Sequence, residues 1–236
     1  MAYNVNDGRI GGLRLSVAAD GQTVSVTPGF AYIPNQGRAL LQSDMSVAVT
    51  GVANAWRHFY IGNDAGELKF EASATAPADP YQGTARTKSN DPTRRYLGSL
   101  YFNASGITLA FQHSQEGDRA NRIDFVPPGG AAIAQARLLN VATGTQPTIV
   151  DASTVVPMTC RVMYTLIDNT STNDAYIGTP SNGTLSTTNY LLFVNANQAG
   201  QFDVVVNGNQ QLNYLLNGVI TLGGLTMRVR GYLFDR

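Results

Sequence analysis

Two carboxylates held about 5 to 10 Å apart are the minimum equipment for glycoside hydrolysis, and Glu67 and Glu71 in GELKFEAS come closest to that pattern. Four residues apart on a strand they share one face with Lys69, the arrangement of a solvated strand face. The other acidic residues mostly fall in turns: Asp7 and Asp20 precede glycines, Asp64 lies near Gly66, and Asp91 precedes Pro92. Aspartate favours such places because its carboxylate hydrogen-bonds the nearby backbone. His58 and His113 are the only histidines. They stand apart from any His-Glu-x-x-His or Cys-x-x-Cys spacing, and the glycine loops of phosphate binders are missing. Cys160 in VVPMTCRVMYTLI reads as a small buried apolar residue, since no histidine follows residue 113 to activate its thiol. The expectation is a protein that is not an enzyme, with no catalytic residue, cofactor or metal.

Aromatic and basic residues are the remaining candidates. In WRHFYI, strand alternation places Trp56, His58 and Tyr60 on one face and Arg57, Phe59 and Ile61 on the other. Such an aromatic strip either packs against a neighbouring strand or subunit or stacks on sugar rings, and Trp56, Tyr60 and Tyr190 are the candidate glycan contacts. The stretch PADPYQGTARTKSNDPTRRYLGSLYF (77–102) carries Pro77, Pro80 and Pro92, which are expected to keep 77–92 out of any ladder interior, as an extended connection over the surface. Arg86, Lys88, Arg94 and Arg95, diluted by Asp79 and Asp91 and followed by Tyr96, are candidates for a subunit-interface arm rather than for catalysis. Asn-x-Ser/Thr matches at Asn103, Asn169 and Asn182 are expected by chance in so Asn- and Thr-rich a chain.

The elements that must position these residues are strands. In LRLSVAADGQTVSVTPGFAYI, Leu13, Leu15 and Val17 alternate, Asp20-Gly21 reverses the chain, and Val24 and Val26 resume the alternation. The same grammar joins 56–61 to 67–72 through Gly62–Gly66, and two strands through Asn103–Gly106. It recurs with turns at Gln198–Gly200 and Asn207–Asn209. The polar tract 168–190 is expected to be a long exposed loop or weak edge strand. Short strands closely spaced by turns predict an all-β protein of sandwich or barrel type.

A chain of 236 residues can form one large β domain or two of about 110. Cutting after Phe125 leaves eleven basic and eleven acidic residues before the cut and five of each after it. Together with Val126-Pro127-Pro128-Gly129-Gly130, this shift predicts two domains, 1–125 and 131–236, joined by a Pro/Gly linker at about 126–131. Residues 129–141 are read either as a short helix or as a first strand. Sixteen Lys and Arg balance sixteen Asp and Glu, so no global field attracts phosphate backbones or anionic lipid, and nucleic acid is not an expected partner. No segment nears the roughly 18 uninterrupted apolar residues of a membrane span, and the N-terminus has no apolar h-region. Neither membrane insertion nor a secretory leader is expected, which places synthesis in the cytoplasm.

Three blocks carry a resemblance: TVSVTPGFAYIPNQGR (23–38), WRHFYIGNDAGELKFEASATAPADPYQGTARTKSNDPTRRYLGSLYFNASG (56–106) and MRVRGYLFDR (227–236). They resemble the β-rich tail, tail-fibre and baseplate-appendage proteins of tailed bacteriophages, most specifically through APADPYQGTARTK…RRYLGS. The resemblance implies a virion structural protein, a homotrimer that assembles with other phage tail proteins and contacts a host surface glycan. It carries over no catalytic residue. The chain lacks a fibrous shaft, a collagen-like repeat and a β-helix repeat, which fits a short fibre, adaptor or baseplate component better than a long fibre.

Overall fold

A computed structural model describes residues 8–116, 120–126 and 136–236. These form twenty β-strands and no α-helix, with antiparallel pairing throughout the registers described, so the chain is all-β with sandwich- or barrel-like units. It divides into two compact units, Met1–Val126 with Phe234–Arg236 and Pro127–Leu233. The closing residues 234–236, read from sequence as part of the second domain, therefore group with the first unit.

In the first unit, β1 (Ile10–Gly12), β4 (Gly29–Ile33) and β5 (Gly37–Leu41) make one sheet, and β2 (Leu15–Val17), β3 (Thr23–Val26) and β6 (Met45–Ala48) a second. The alternation read from sequence is the observed register: Leu15 faces Val26 and Val17 faces Val24. Asp20 closes the turn through its side chain, with Oδ1 accepting from Gln22 N and Thr23 N at 2.8 Å each. The third sheet has the order β8 (Glu67–Ser73), β7 (Ala55–Asp64), β10 (Asp91–Phe102), β9 (Thr87–Lys88). Ala65 and Gly66 join β7 to β8, both at positive φ as two-residue hairpins of the favoured hand require. β11 (Phe111–Glu116) pairs with β12 (Ala120–Phe125), and the segment after the Asn103–Gly106 turn meets β10 through an isolated bridge, Phe102–Thr108.

β10 is buried on both faces from Arg95 to Leu100, and its register slips between Tyr96 and Gly98, leaving Leu97 as the extra residue of a bulge. Phe59 stacks on Phe70 at 5.8 Å on the core side, where Leu15 and Phe234 also reach Gly98. The proline stretch differs from the extended connection expected. It folds back on itself, Ala78 N donating to Thr87 O at 2.7 Å and Ser89 N to Ala76 O at 3.0 Å. β9 then pairs with β10, and Pro92 falls in the register shift between Asp91 and Arg95, where no ladder N–H is demanded of it.

In the second unit, β13 (Arg137–Ala142), β15 (Cys160–Asn169), β18 (Gln198–Val205) and β20 (Leu225–Phe234) lie in one sheet. β14 (Thr148–Asp151), β16 (Ala175–Gly178), β17 (Leu192–Val194) and β19 (Gln211–Leu216) lie in another. The chain passes between the two sheets at nearly every connection, the wiring of a sandwich. Met163, Ile167, Val194, Leu212, Leu216 and Met227 fill the core, each fully buried side chain contributing about 1.5–3 kcal/mol. Cys160 is buried, as read from sequence. Residues 137–142 are strand; 127–135, holding most of the expected linker and the rest of the helix-or-strand segment, lie outside the described residues.

Two expectations change here. The turn placed at Gln198–Gly200 sits at Asn195–Asn197, because Asn197 takes the positive φ and Gln198 Oε1 accepts from Asn195 N at 3.0 Å. The tract 168–190 is neither one loop nor an edge, since β16 lies inside its sheet with all four residues buried.

Candidate functional site

The basic residues of the arm meet partners inside their own unit. Arg94 Nη2 lies 2.8 Å from the Asp64 carboxylate and its Nε 3.5 Å from Glu71 Oε2, while Lys88 Nζ lies 2.8 Å from Glu71 Oε1. Lys69 completes an alternating network at 3.4 Å from Asp64. The Arg94 guanidinium holds the Asp64 carboxyl below the usual carboxylate range. Gly62 permits this: a Cβ there would collide with the Arg94 guanidinium. Glu71, read from sequence as part of a solvated face with Glu67 and Lys69, is thus a paired carboxylate.

Arg95 and Tyr96 are fully buried. Arg95 donates from Nη1 to Arg86 O at 2.9 Å and from Nη2 to Gly8 O at 3.3 Å, and lies 5.7 Å from the Tyr81 ring. Arg86 donates to Ala78 O at 3.0 Å and approaches Asp235 at 4.0 Å. Arg236 is buried too, donating to Leu13 O at 2.7 Å and Gly12 O at 2.8 Å. Burial, with the Arg95 and Arg14 charges, brings it down to about 9. His113 accepts from Leu15 N at Nδ1 (2.9 Å), which fixes the proton of the neutral ring on Nε2. Burial, then the Arg236 charge, keeps it well below the ordinary histidine value. These cations answer to backbone carbonyls, and each charge-assisted bond contributes about 1.5–3 kcal/mol.

The aromatic strip continues across two strands. Register sets Trp56 against Tyr101, His58 against Ser99 and Tyr60 against Tyr96. Trp56 and Tyr101 meet edge to face at 5.5 Å, and Ser99 Oγ lies 2.6 Å from His58 Nδ1 and 2.7 Å from Tyr96 Oη. This buried chain contains a serine and a histidine. Yet both are more than nine-tenths buried, and burial, with the Arg57 charge, holds His58 down to about 4. Tyr60 donates to Thr75 O at 2.7 Å and is fully buried, which corrects its place among the glycan contacts: it has no surface to offer a sugar. Trp56 is half-buried.

Tyr190 is placed differently. Its ring is 45 % exposed yet fixed, edge-on to Tyr176 at 5.1 Å and 6.1 Å from Phe193. It borders a shallow, open depression of about 10 Å³, room for one water- or hydroxyl-sized group, lined also by Thr179, Asn182, Leu185, Asn189 and Asn213. The rim is pre-organised. Asn189 donates both amide protons, to Asn182 O at 3.1 Å and Thr184 O at 3.0 Å, while Ser186 Oγ accepts from Asn189 N at 3.0 Å. Asn213 on β19 is 95 % buried, and among the described residues its Oδ1 has no hydrogen-bond partner. Gly178, its register partner on β16, leaves the space, since a Cβ there would stand 3.1 Å from Asn213 Oδ1 and from Leu185 Cδ1.

Sequence reasoning named Tyr190 but missed Asn213 and Asn189. The signal for Asn213 was a lone carboxamide inside the largely apolar run LNYLL (212–216). Asn169, named only as a chance Asn-x-Ser/Thr match, is fully buried and bound to the carbonyls of Asn173, Val194 and Asn195, with Ser171 donating to it. Among the described residues no three metal-ligating side chains gather, and no helix is long and apolar enough to cross a membrane. In comparisons with known proteins, no family model and no curated protein matches the chain.

Proposed function

We propose that this chain is a non-enzymatic structural component of a bacteriophage tail, a short fibre, adaptor or baseplate protein that works as a homo-oligomer in the virion. The observation that supports the reading is the fate of the APADPYQGTARTK…RRYLGS block (76–99), the most specific piece of the resemblance. Its charged side chains are spent on architecture: Arg95 on backbone carbonyls, Arg94 and Lys88 on Asp64 and Glu71. Carboxylates engaged in this way are poor general acids or bases, which supports a structural role. A trimer comes from the resemblance alone.

Light scattering coupled to size exclusion tests the assembly, and mass spectrometry of purified phage particles tests the location. A species of about 75 kDa, three times the 25.2 kDa chain, and its presence in particles are the expected results. A stable monomer absent from particles refutes the proposal.

A second reading, a carbohydrate-recognition module, is favoured by one specific observation. Tyr190 offers a rigid, half-exposed ring beside carboxamides, the mixture of apolar and polar lining that ligand sites use. Binding to host cells, competed by free glycan, tests it.

A further inference from the structure

The depression beside Tyr190 contains unanswered acceptors. Among the described residues Asn213 Oδ1 is buried without a donor, so its lost hydration stays uncompensated unless something supplies one. Asn189, with both amide protons committed to the loop, presents its remaining oxygen only as an acceptor. A complementary ligand must therefore bring donors. The lining residues include no Asp, Glu, Lys, Arg or His, so nothing there would balance an ammonium group or attract a phosphate or carboxylate. Hydroxyl and amide groups are the neutral donors that remain. The exposed Tyr190 ring adds an apolar surface, held flat by Tyr176 and Phe193, and a pyranose combines hydroxyl edges with a flat C–H face.

From these features we infer that the exposed Tyr190 ring and this depression form a subsite for one neutral hexose ring, stacked on Tyr190 outside the depression with a single hydroxyl entering it towards the Asn213 carboxamide. The inference rests on the carbohydrate-recognition reading and supplies its site and ligand class. Gly178 is the specificity-determining position, because any side chain there closes the approach to Asn213.

The test is a ¹⁵N–¹H NMR titration of the full chain with glucose, galactose and N-acetylglucosamine separately. At least one should give saturable shifts confined to the amides of 178–191 and the Asn213 side chain, with a Kd on the order of 1 mM. Tyr190→Ala should weaken it at least tenfold and Gly178→Ala several-fold. Tyr190→Leu keeps the packing against Tyr176 and Phe193 but loses the flat face, and should behave like alanine; it serves if the alanine variant misfolds. No saturable shift from any of the three sugars, or shifts that persist unchanged in the Tyr190 variants, would overturn the inference. Saturable shifts centred elsewhere, for example around Trp56, would overturn this site while leaving the recognition reading standing.

Discussion

Replacing Asn169 with alanine should cost the second unit about 3–4 kcal/mol. The carboxamide shares its two protons among Asn173 O (2.9 Å), Asn195 O (3.0 Å) and Val194 O (3.3 Å), and its oxygen accepts from Ser171 Oγ (2.7 Å) and Ser171 N (3.2 Å). About four effective hydrogen bonds disappear, each with a net contribution near 1 kcal/mol, and the groups left behind lie around a fully buried side chain where water does not replace them easily. Measured by urea unfolding followed by circular dichroism, with a slope of about 2 kcal/mol/M, the midpoint should fall by roughly 1.5–2 M. Asn169→Asp sharpens the test. It preserves shape and the accepting oxygen but withdraws the donor from three carbonyls, and should destabilise comparably. Because Val194 and Asn195 follow the Tyr190 segment directly, both variants should also broaden the amide signals of 190–195. A change within about 0.5 kcal/mol, the range of ordinary surface substitutions, would refute the assignment of Asn169 as the clasp of this tract.

Gly62→Ala should destabilise the first unit by about 1–3 kcal/mol, since a Cβ displaces the Arg94 guanidinium and meets Thr93 O at 2.9 Å; unfolding followed by Trp56 fluorescence reads it, and a neutral result would show that Arg94 is not held there. His58 should titrate near 4 by ring-proton NMR. With its folded value below the unfolded 6.5, the unfolded chain binds the extra proton, so the His58 contribution to stability is full above about pH 6.5 and up to about 3 kcal/mol of it is lost as pH drops towards 4. A midpoint at 6.5 would contradict the buried His58–Ser99–Tyr96 chain. Cys160, buried in β15, should resist a thiol-specific reagent in the native protein and react at once in denaturant; rapid native labelling would refute its burial.

Local chemistry was legible in the sequence wherever one or two residues decide an outcome. Alternation gave Leu15, Val17, Val24 and Val26 their faces, and Asp20 closes its turn with its own carboxylate. The 207–209 turn likewise appears where Asn207 Oδ1 accepts from Asn209 N and Gln211 N. Yet that turn joins β18 to β19 across two sheets rather than making a hairpin, a choice period-2 patterning cannot express. From sequence the polar tract reads as an exposed loop or weak edge strand because its hydrophobicity is low. It folds because Asn169 reaches carbonyls 25 and 26 residues away in sequence.

The sequence by itself determined the all-β class, most strand faces, and the turns built by Asp, Asn and Gly, because these follow from side-chain period and φ preferences within a few residues. Only the tertiary structure decided which strands share a sheet and that the arm's cations answer to Asp64, Glu71 and backbone carbonyls. It alone buried Tyr60 while leaving Tyr190 half-exposed, and set Asn213, whose Oδ1 has no hydrogen-bond partner among the described residues, opposite Gly178. The reason is physical: burial and hydrogen-bond satisfaction depend on which distant segments arrive together, and a pattern read along the chain does not contain that information.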